Sequence, residues 1–300
     1  MMRLPPDLTE TLAAIVDEGT LDAAAARLHL TPSAVSQRLK ALERQVGRVL
    51  LIRSKPAQPT QAGQAVLRLA RQLALLEHDT LVELGADESA AAPINIPLAV
   101  NADSLGTWFL APLAELSRNH PVVFELHRDD QDFTAGLLES GAVMGAVTSR
   151  SRPVPGCRAV PLGAMRYRAM ATPAFLRRWL PDGPTEAALA AAPVVYFDRR
   201  DELQSSWLSD QGIDPSQPPR HFVPASADYA HAVRLGLGWG LLDRFHSTDA
   251  LAEGDLVDLG GPTVEVALHW QQWNLRSPLL DAIATGIVEY ARRDLWQPGS

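Results

Sequence analysis

The segment from Thr31 to Glu43 combines residue types that suit contact with a polar, anionic partner. At helical spacing, one side of the segment is apolar and carries Val35, Leu39 and Leu42. The other side carries polar and cationic side chains, namely Ser33, Ser36, Gln37 and Lys40, and Arg44 extends it just beyond the segment. Hydroxyl and amide groups can hydrogen-bond to the edges of DNA bases, and cations can contact phosphates. One face can therefore pack while the other reads a duplex, although an ordinary amphipathic helix pair would also show a polar face.

The residues before this segment predict a helix-turn-helix. An alanine-rich stretch, Leu21–Leu28, forms the first helix, and its small side chains let the second helix approach closely. His29 and Leu30 form the break between the two helices. Thr31 suits the N-cap of the second helix, and Pro32 suits its first position, where a missing N–H costs nothing. The second helix should therefore start sharply at this point.

A small hairpin is predicted after the second helix. The flanking segments Leu50–Arg53 and Gln58–Thr60 enclose the turn residues Ser54–Ala57. Arg53 and Lys55 lie in or next to this turn, where a cation can meet a phosphate. The pattern is typical of a winged helix-turn-helix.

The distribution of charge favours DNA as the partner, despite a net charge of −8 for the chain. Between Arg27 and Lys55 the chain has seven cations and one acid, a net +6. The remainder has 20 cations and 34 acids, a net −14. A short basic segment joined to an acidic body is the expected pattern of a DNA reader attached to a solvated sensor.

A long helix is predicted to follow the wing. Thr60 suits its N-cap, and apolar residues then recur at steps of four and three, the pattern of a coiled-coil seam: Ala62, Val66, Leu69, Leu73 and Leu76. The helix is predicted to run to about Leu84, with a hinge from Gly85 to Pro93. Such a helix favours a dimer that reads two half-sites of a palindromic operator. The alternative is that this helix packs against the C-terminal part of its own chain.

From residue 94 onward, short apolar strands alternate with helices, which predicts an α/β fold with mostly parallel pairing. The predicted strands are Ile94–Val100, Val122–Leu126, Met144–Val147, Tyr167–Ala171, Val194–Phe197, His221–Val223, Gly240–Asp243, Leu256–Leu259 and Val264–Trp270. The predicted helices are Ser104–Arg118, Ala174–Leu180, Glu202–Asp210, Ala227–Leu235 and Pro278–Arg293.

Several classes of protein and site are disfavoured. No apolar stretch reaches the roughly 18 residues of a membrane span, and Pro5, Pro6 and Asp7 stand where an export signal would be apolar, so a cytoplasmic protein is expected. The lone Cys157 cannot form an intrachain disulfide. Gly236–Gly240 follows a helix and precedes a strand, the reverse of a dinucleotide site. We find no metal-binding spacing and no nucleophile–base constellation, so no metal, cofactor or enzymatic activity is predicted.

The Thr31–Glu43 run resembles the recognition helix of LysR-type transcriptional regulators, and residues 1 to about 90 resemble the N-terminal half of that family. Further segments narrow the resemblance to the ArgP/LysG subgroup: Ala99–Leu105, Thr107–Phe109, Asp129–Asp132, Met144–Thr148 and His269–Trp273. Members of this subgroup sense basic amino acids and control genes such as a lysine and arginine exporter. A solute-binding transport component is a rival interpretation, but such a protein would resemble only the second half of this chain and would have no use for residues 1–60.

The resemblance implies three domains and several partners. Residues 1–60 would form the DNA-binding domain, 61–92 the linker helix and hinge, and 93–300 a two-lobed effector-binding domain like a periplasmic binding protein. Lobe I would comprise 93–164 and 266–300, and lobe II 165–265. The implied partners are double-stranded operator or promoter DNA, a basic amino acid, RNA polymerase where the protein acts as an activator, and further copies in a homodimer or homotetramer.

Two sets of site residues follow. The DNA-contacting set is Thr31, Pro32, Ser33, Ser36, Gln37, Arg38, Lys40, Arg53 and Lys55. The effector-binding set, which the resemblance implies lies between the lobes, is Asn101, Asp103, Ser104, Asp129, Asp130, Asp132, Thr148, Asp228 and Trp270. Hydroxyls such as Ser104 and Thr148 would hold the carboxylate of an amino acid, and carboxylates would hold its cation. The alternatives are a solvated acidic loop, a core position for Trp270, and second-lobe acids at Asp198, Asp201 and Glu202.

Overall fold

The computed structural model describes residues 3–85, 93–128 and 134–297. Its N-terminal helices are α1 (Pro6–Glu18), α2 (Leu21–Arg27) and α3 (Pro32–Val46). The hydroxyl of Thr31 caps α3 by accepting from the backbone N–H of Ala34 at 3.2 Å, so the predicted helix-turn-helix is confirmed. Helix α1 was not predicted, although Pro5 occupies its N-cap and Pro6 its first position, where proline is well tolerated.

The predicted wing and long helix are also confirmed. Strands β1 (Leu51–Ile52) and β2 (Gln58–Pro59) pair in antiparallel fashion, and α4 (Gln61–Glu83) follows directly. The hydroxyl of Thr60 accepts from the N–H of Gly63 at 3.1 Å and donates to the carbonyl of Val49 at 2.8 Å. A single threonine therefore caps α4 and joins its start to the wing.

The predicted coiled-coil seam is not one uniform surface. Val66 lies in the core that α1–α4 share, together with Leu12, Ile15 and Leu39. Further along α4, Leu69 and Leu73 are half-buried, and Leu76 is 36% exposed. The first part of the seam is thus used within the chain, because the N-terminal helices need an apolar side of α4 to complete their core.

In chain order the remaining elements are β3 (Ile94–Val100), α5 (Ala102–Gly106), α6 (Leu110–Asn119), β4 (Val122–Arg128), α7 (Thr134–Ser140), β5 (Gly145–Thr148), β6 (Cys157–Ala171), α8 (Pro173–Trp179), α9 (Glu186–Ala191), β7 (Val194–Tyr196), α10 (Leu203–Asp210), β8 (Arg220–Phe222), α11 (Ser226–Arg234), β9 (Gly240–Asp243), α12 (Arg244–Glu253), β10 (Val257–Asp258), β11 (Val264–Trp273) and α13 (Pro278–Asp294). Within the described residues, none of the helices combines the length and apolar character needed to cross a bilayer.

The chain divides into two compact units. The first comprises Met1–Val100, Ala111–Val160 and Trp270–Ile287, and the second comprises Asn101–Leu110, Pro161–His269 and Val288–Ser300. In the first unit β3 pairs in parallel with β4 on one side and β5 on the other. This arrangement matches the parallel pairing predicted for the early strands.

In the second unit the parallel prediction holds only in part. Strands β7 and β8 are parallel, but β6 pairs with β9 and β10 in antiparallel fashion. Strand β6 is also longer than predicted, since only its Tyr167–Ala171 end was recognised. The antiparallel partners come from sequence positions far downstream, so local hydrophobic patterns could not indicate their direction.

The single helix predicted over Ser104–Arg118 is wrong, because the chain forms two helices there. Helix α5 ends where the carbonyl of Ser104 accepts from the N–H groups of both Thr107 and Phe109. The buried side chains of Trp108 and Phe109 occupy the break before α6. Burial of two large aromatic rings thus competes with continuation of the helix.

Gly63 provides a test of how closely α4 approaches the wing. A Cβ atom at this position would lie 1.9 Å from the carbonyl oxygen of Leu50. We expect Gly63→Ala to lower the free energy of unfolding by about 1–3 kcal/mol, because backbone must move to relieve the overlap. Denaturant titration measures the change.

Gly136 is the matched control, since it lies inside α7 and a Cβ there would meet nothing within 4 Å. Gly136→Ala should raise the free energy of unfolding by roughly 0.5–1 kcal/mol through its effect on helix propensity. Equal effects of the two substitutions would show that the approach at Gly63 is not tight.

Candidate DNA-binding surface and effector-binding residues

The structure places the predicted DNA-contacting residues of α3 at the surface. Exposed side chains are those of Thr31, Pro32, Ser33, Gln37 and Lys40, and half-buried ones are those of Ser36 and Arg38. The opposite face is buried, as the periodicity predicted, with Val35, Leu39 and Leu42 at most 1% exposed. The wing residues Arg53 and Lys55 are exposed as well.

Two details refine this surface. The Arg38 guanidinium lies 3.9 Å from the carboxylate of Asp7 in α1, so its charge is shared with an acid of the same chain. A groove of about 780 Å³ runs along the second half of α3 and is lined by Gln37, Lys40, Glu43, Arg44, Gly47, Arg48 and Val49. Arg44, which the periodicity placed on the polar face of α3, lies on this surface, and Arg48 joins it from just beyond the helix.

Asp103, one of the predicted effector-binding residues that the structure describes, is held by two hydroxyl groups. Its two carboxylate oxygens accept hydrogen bonds from the Tyr167 hydroxyl at 2.6 Å and from the Ser226 hydroxyl at 2.7 Å, all within the second unit. Burial raises the pKa of the Asp103 carboxyl, while the two hydroxyl donors act in the opposite direction. Sequence reasoning missed Tyr167 and Ser226, which lie 64 and 123 residues away and carry no local signal.

Other carboxylates lie within electrostatic range of Asp103 in the same unit. Asp201 accepts from the backbone N–H groups of Phe197 and Leu203, and burial raises the pKa of its carboxyl. Asp243 caps α12 and contacts the His246 ring nitrogen at 2.9 Å, which raises the pKa of that imidazole. The second unit therefore brings several carboxyl groups into mutual electrostatic range where little water is present to screen them.

Asn101 and Ser104 stand at the start of α5 and are buried, at 7% and 0% exposure. The side-chain oxygens Asn101 Oδ1 and Ser104 Oγ have no hydrogen-bond partner among the described residues. An unsatisfied buried polar atom costs about 1–3 kcal/mol. These two groups are thus suited to accept or donate hydrogen bonds when a polar ligand supplies the partner.

Two of the remaining predicted residues are core positions of the other unit. Thr148 and Trp270 belong to the first unit. Thr148 is fully buried, with its Oγ1 accepting from the Arg150 N–H at 3.2 Å. Trp270 is 1% exposed, and its ring lies where a Cβ at Gly145 would be only 2.4 Å away, so it occupies the core position that the sequence left open.

Asp228 is exposed on α11. Asp129, Asp130 and Asp132 lie outside the described residues. Of the second-lobe alternatives, Asp198, Asp201 and Glu202 line a cavity of about 450 Å³ together with Tyr196, Arg199, Ser205, Ser206, Ser209, Asp210, Arg220 and Phe222. In the part of the chain that the structure describes, no three potential metal ligands come together.

Known proteins resemble this chain over nearly its whole length. Residues 6–64 match the bacterial regulatory helix-turn-helix proteins of the lysR family, and residues 96–292 match the LysR substrate binding domain. The HTH-type transcriptional regulator LysG of Mycobacterium tuberculosis is 45% identical over 286 residues, covering 95% of this chain and 93% of that protein. The lysine export transcriptional regulatory protein LysG of Corynebacterium efficiens is 41% identical over 288 residues, 95% of this chain and 97% of that protein.

A solved structure agrees with these relatives. Full-length LysG from Corynebacterium glutamicum with bound effector Arg has a TM-score of 0.76 and 36% identity, covering 97% of this chain and 99% of that one. The match includes both the winged helix-turn-helix and the effector-binding part of the chain. The chain therefore belongs to the LysR family of transcriptional regulators, and within it to the LysG and ArgP kind, which are DNA-binding regulators and not enzymes.

Proposed function

We propose that this regulator senses a basic amino acid, L-lysine or L-arginine or both, and controls a gene for a lysine or arginine exporter. The observation that carries the proposal is the similarity of the whole chain to a LysG with bound Arg. The exporter is supported by the similarity to a regulator of lysine export. The alternative is a regulator of the same class with a different small-molecule effector.

The charge of the second unit supports a cationic effector. Asp103 and Asp201 are both carboxyls whose pKa values are raised by burial, and each lies within electrostatic range of the other. A cation placed beside them would favour their ionised forms and recover part of the cost of burial. The two hydroxyl donors of Asp103 leave lone pairs on its oxygens that can still accept from an ammonium or guanidinium group.

The amino acid also needs partners for its α-carboxylate. We assign these to the start of α5, where Ser104 and Asn101 have buried polar atoms without partners among the described residues. Thr148 is a second hydroxyl candidate. In this proposal Asp103 and Ser104 contact opposite ends of one small ligand, which explains why a single turn of helix carries both.

On the DNA side, we propose that α3 enters the major groove of an operator and that Arg53 and Lys55 of the wing contact phosphates. Two copies joined through α4 would present two such helices to a palindromic site, and effector-binding domains would pair dimers into tetramers. RNA polymerase at the promoter would then be the partner in the cytoplasm when the regulator activates transcription.

Gln37 tests the assignment of α3. We expect Gln37→Ala to weaken binding to the preferred duplex, selected from a random pool with the wild-type protein, by about 1–3 kcal/mol, because the amide can pair with an adenine edge. Fluorescence anisotropy on the selected and on random duplexes measures the change. The same loss on both duplexes would contradict base reading by Gln37.

Arg53→Ala is the comparison, because a phosphate contact carries no base information. It should weaken binding to both duplexes alike and reduce the salt dependence by roughly one counterion. The location of the selected sequence upstream of an exporter gene would support the proposed target.

Leu73 tests dimerisation through α4. Leu73→Glu places a charge at the centre of the proposed seam, so dimer formation and operator binding should weaken together, each by at least about tenfold, because one unpaired buried charge costs several kcal/mol. Sedimentation velocity and anisotropy give the two values. Ala74→Glu adds the same charge at the neighbouring exposed position and should change neither. A monomeric wild type at micromolar concentration would contradict the dimer.

Asp103 tests the effector site. Asp103→Asn keeps the shape of the side chain but removes its charge, so affinity for arginine and lysine should fall about ten- to a hundredfold, the effect of one charged hydrogen bond. Isothermal titration calorimetry measures it, with Asp182→Asn as the exposed control in the same unit and norleucine as the uncharged ligand. Unchanged affinity in Asp103→Asn would move the cation site to Asp130 or Asp132, whose Asn variants are measured alongside.

A further inference from the structure

Arg71, in the middle of α4, is only 9% exposed, and it contacts two other segments of the first unit. One terminal nitrogen lies 2.6 Å from the Asp17 carboxylate in α1. The other donates to the carbonyl of Gly141 at 2.8 Å and to the carbonyl of Ala142, in the turn between α7 and β5. One guanidinium therefore joins the DNA-binding domain, the linker helix and the effector-binding domain.

These contacts depend on the shape of the guanidinium. Its donors point in fixed directions within one plane, so a single arginine can serve a carboxylate on one side and two carbonyls on the other. A lysine ammonium at this position would be a point charge without that geometry. The backbone carbonyls of the turn gain a charged donor in a place that water reaches poorly.

The turn is pressed closely against α4. Gly141 has a φ of 75°, and a Cβ there would lie 2.6 Å from the Cβ of Arg68, which is one helical turn before Arg71. The chain then continues through the N–H of Met144, which donates to the carbonyl of Pro97, into strand β5. Movement of β5 must therefore displace the turn that Arg71 holds.

On the other side, Asp17 is fixed with respect to the recognition helix. Its helix, α1, contributes Leu12 and Ile15 to the core that contains Leu39 of α3. Asp17 also pairs with Arg27 at 3.1 Å, so its charge keeps a partner if Arg71 is removed. The chain of contacts from β5 to α3 is thus continuous through buried or half-buried groups.

We propose that Arg71 is a positioning residue that transmits movement of the effector-binding domain to the DNA-binding domain. It makes the turn at Gly141–Ala142, α4 and α1 move as one body, so displacement of β5 reorients α3 and is not absorbed by bending of the linker. The effector part of this idea rests on the proposed function, because Thr148 at the end of β5 is one of the residues assigned to the amino acid. The claim that Arg71 joins α1, α4 and the turn at Gly141–Ala142 does not rest on the proposed function.

The test compares Arg71→Met with Arg158→Met, which removes an exposed arginine paired with Asp281 in the same unit. The first measurement is affinity for the selected operator duplex with and without arginine. In Arg71→Met we expect affinity without arginine to stay within about threefold of wild type, while the arginine-dependent change shrinks by about 2- to 30-fold. Arg158→Met should keep the full change.

The second measurement does not need an effector. Spin labels at Glu10→Cys in α1 and Glu139→Cys in α7, with Cys157→Ser, report the distance between the two domains by double electron–electron resonance when the labelled chain is assembled with an excess of unlabelled Cys157→Ser chain. The distribution should be narrow in the otherwise wild-type chain and in Arg158→Met, and broad in Arg71→Met. Asp17→Asn, which keeps the carbonyl contacts of Arg71, should broaden it less and serves as the second variant if Arg71→Met does not fold.

The outcomes distinguish the proposed role of Arg71 from the proposed identity of the effector. A narrow distribution in Arg71→Met together with an unchanged arginine response would overturn the role of Arg71. A wild type that responds to neither arginine nor lysine would remove the proposed effector, while the distance distributions would still decide whether Arg71 joins the domains. Rescue of a narrow distribution by Arg71→Lys would show that charge alone, without the planar contacts, is sufficient, and would contradict the geometric argument.

Discussion

The arrangement of the N-terminal helices and the wing depends on the hydrogen bonds that the backbone of one buried residue, Leu50, makes. Its N–H donates to the Glu43 carboxylate at the end of α3, and its carbonyl accepts from the Thr60 N–H at the start of α4. Gly63 allows α4 to lie against that same carbonyl. A buried peptide group needs both partners, so the recognition helix, the wing and the linker helix are placed relative to one another by a few hydrogen bonds.

Buried charged groups further along the chain also need partners. Arg71 and Asp103 are both largely removed from water, and each is satisfied by groups from distant segments. An unpaired buried charge is very costly, so these contacts stabilise the folded chain. They also tie distant segments of the chain to one another. In the roles proposed for them, Arg71 makes α1, α4 and the turn at Gly141 move together, and Asp103 binds the cation of the effector.

Where the determinants were local, the sequence was sufficient. The caps at Thr31 and Thr60, the apolar stripe of α3 and the turn of the wing act within a few residues, and each predicted element was found. Strands β3 and β9 agree with their predicted bounds, since short apolar runs ended by polar residues mark buried strands. The family resemblance, which rests on the same motifs, correctly indicated a LysR-type regulator.

By itself, then, the sequence determined the winged helix-turn-helix, the polar exposed face of α3, the basic charge of that region and the α/β class of the remainder. Tertiary structure alone decided the antiparallel partners of β6, the break between α5 and α6, the burial of Trp270, and the partners of Asp103 and Arg71. The physical reason is distance along the chain. Periodicity and capping act over one or two helical turns, whereas a buried side chain is satisfied by whichever segment the fold brings beside it, here up to 123 residues away.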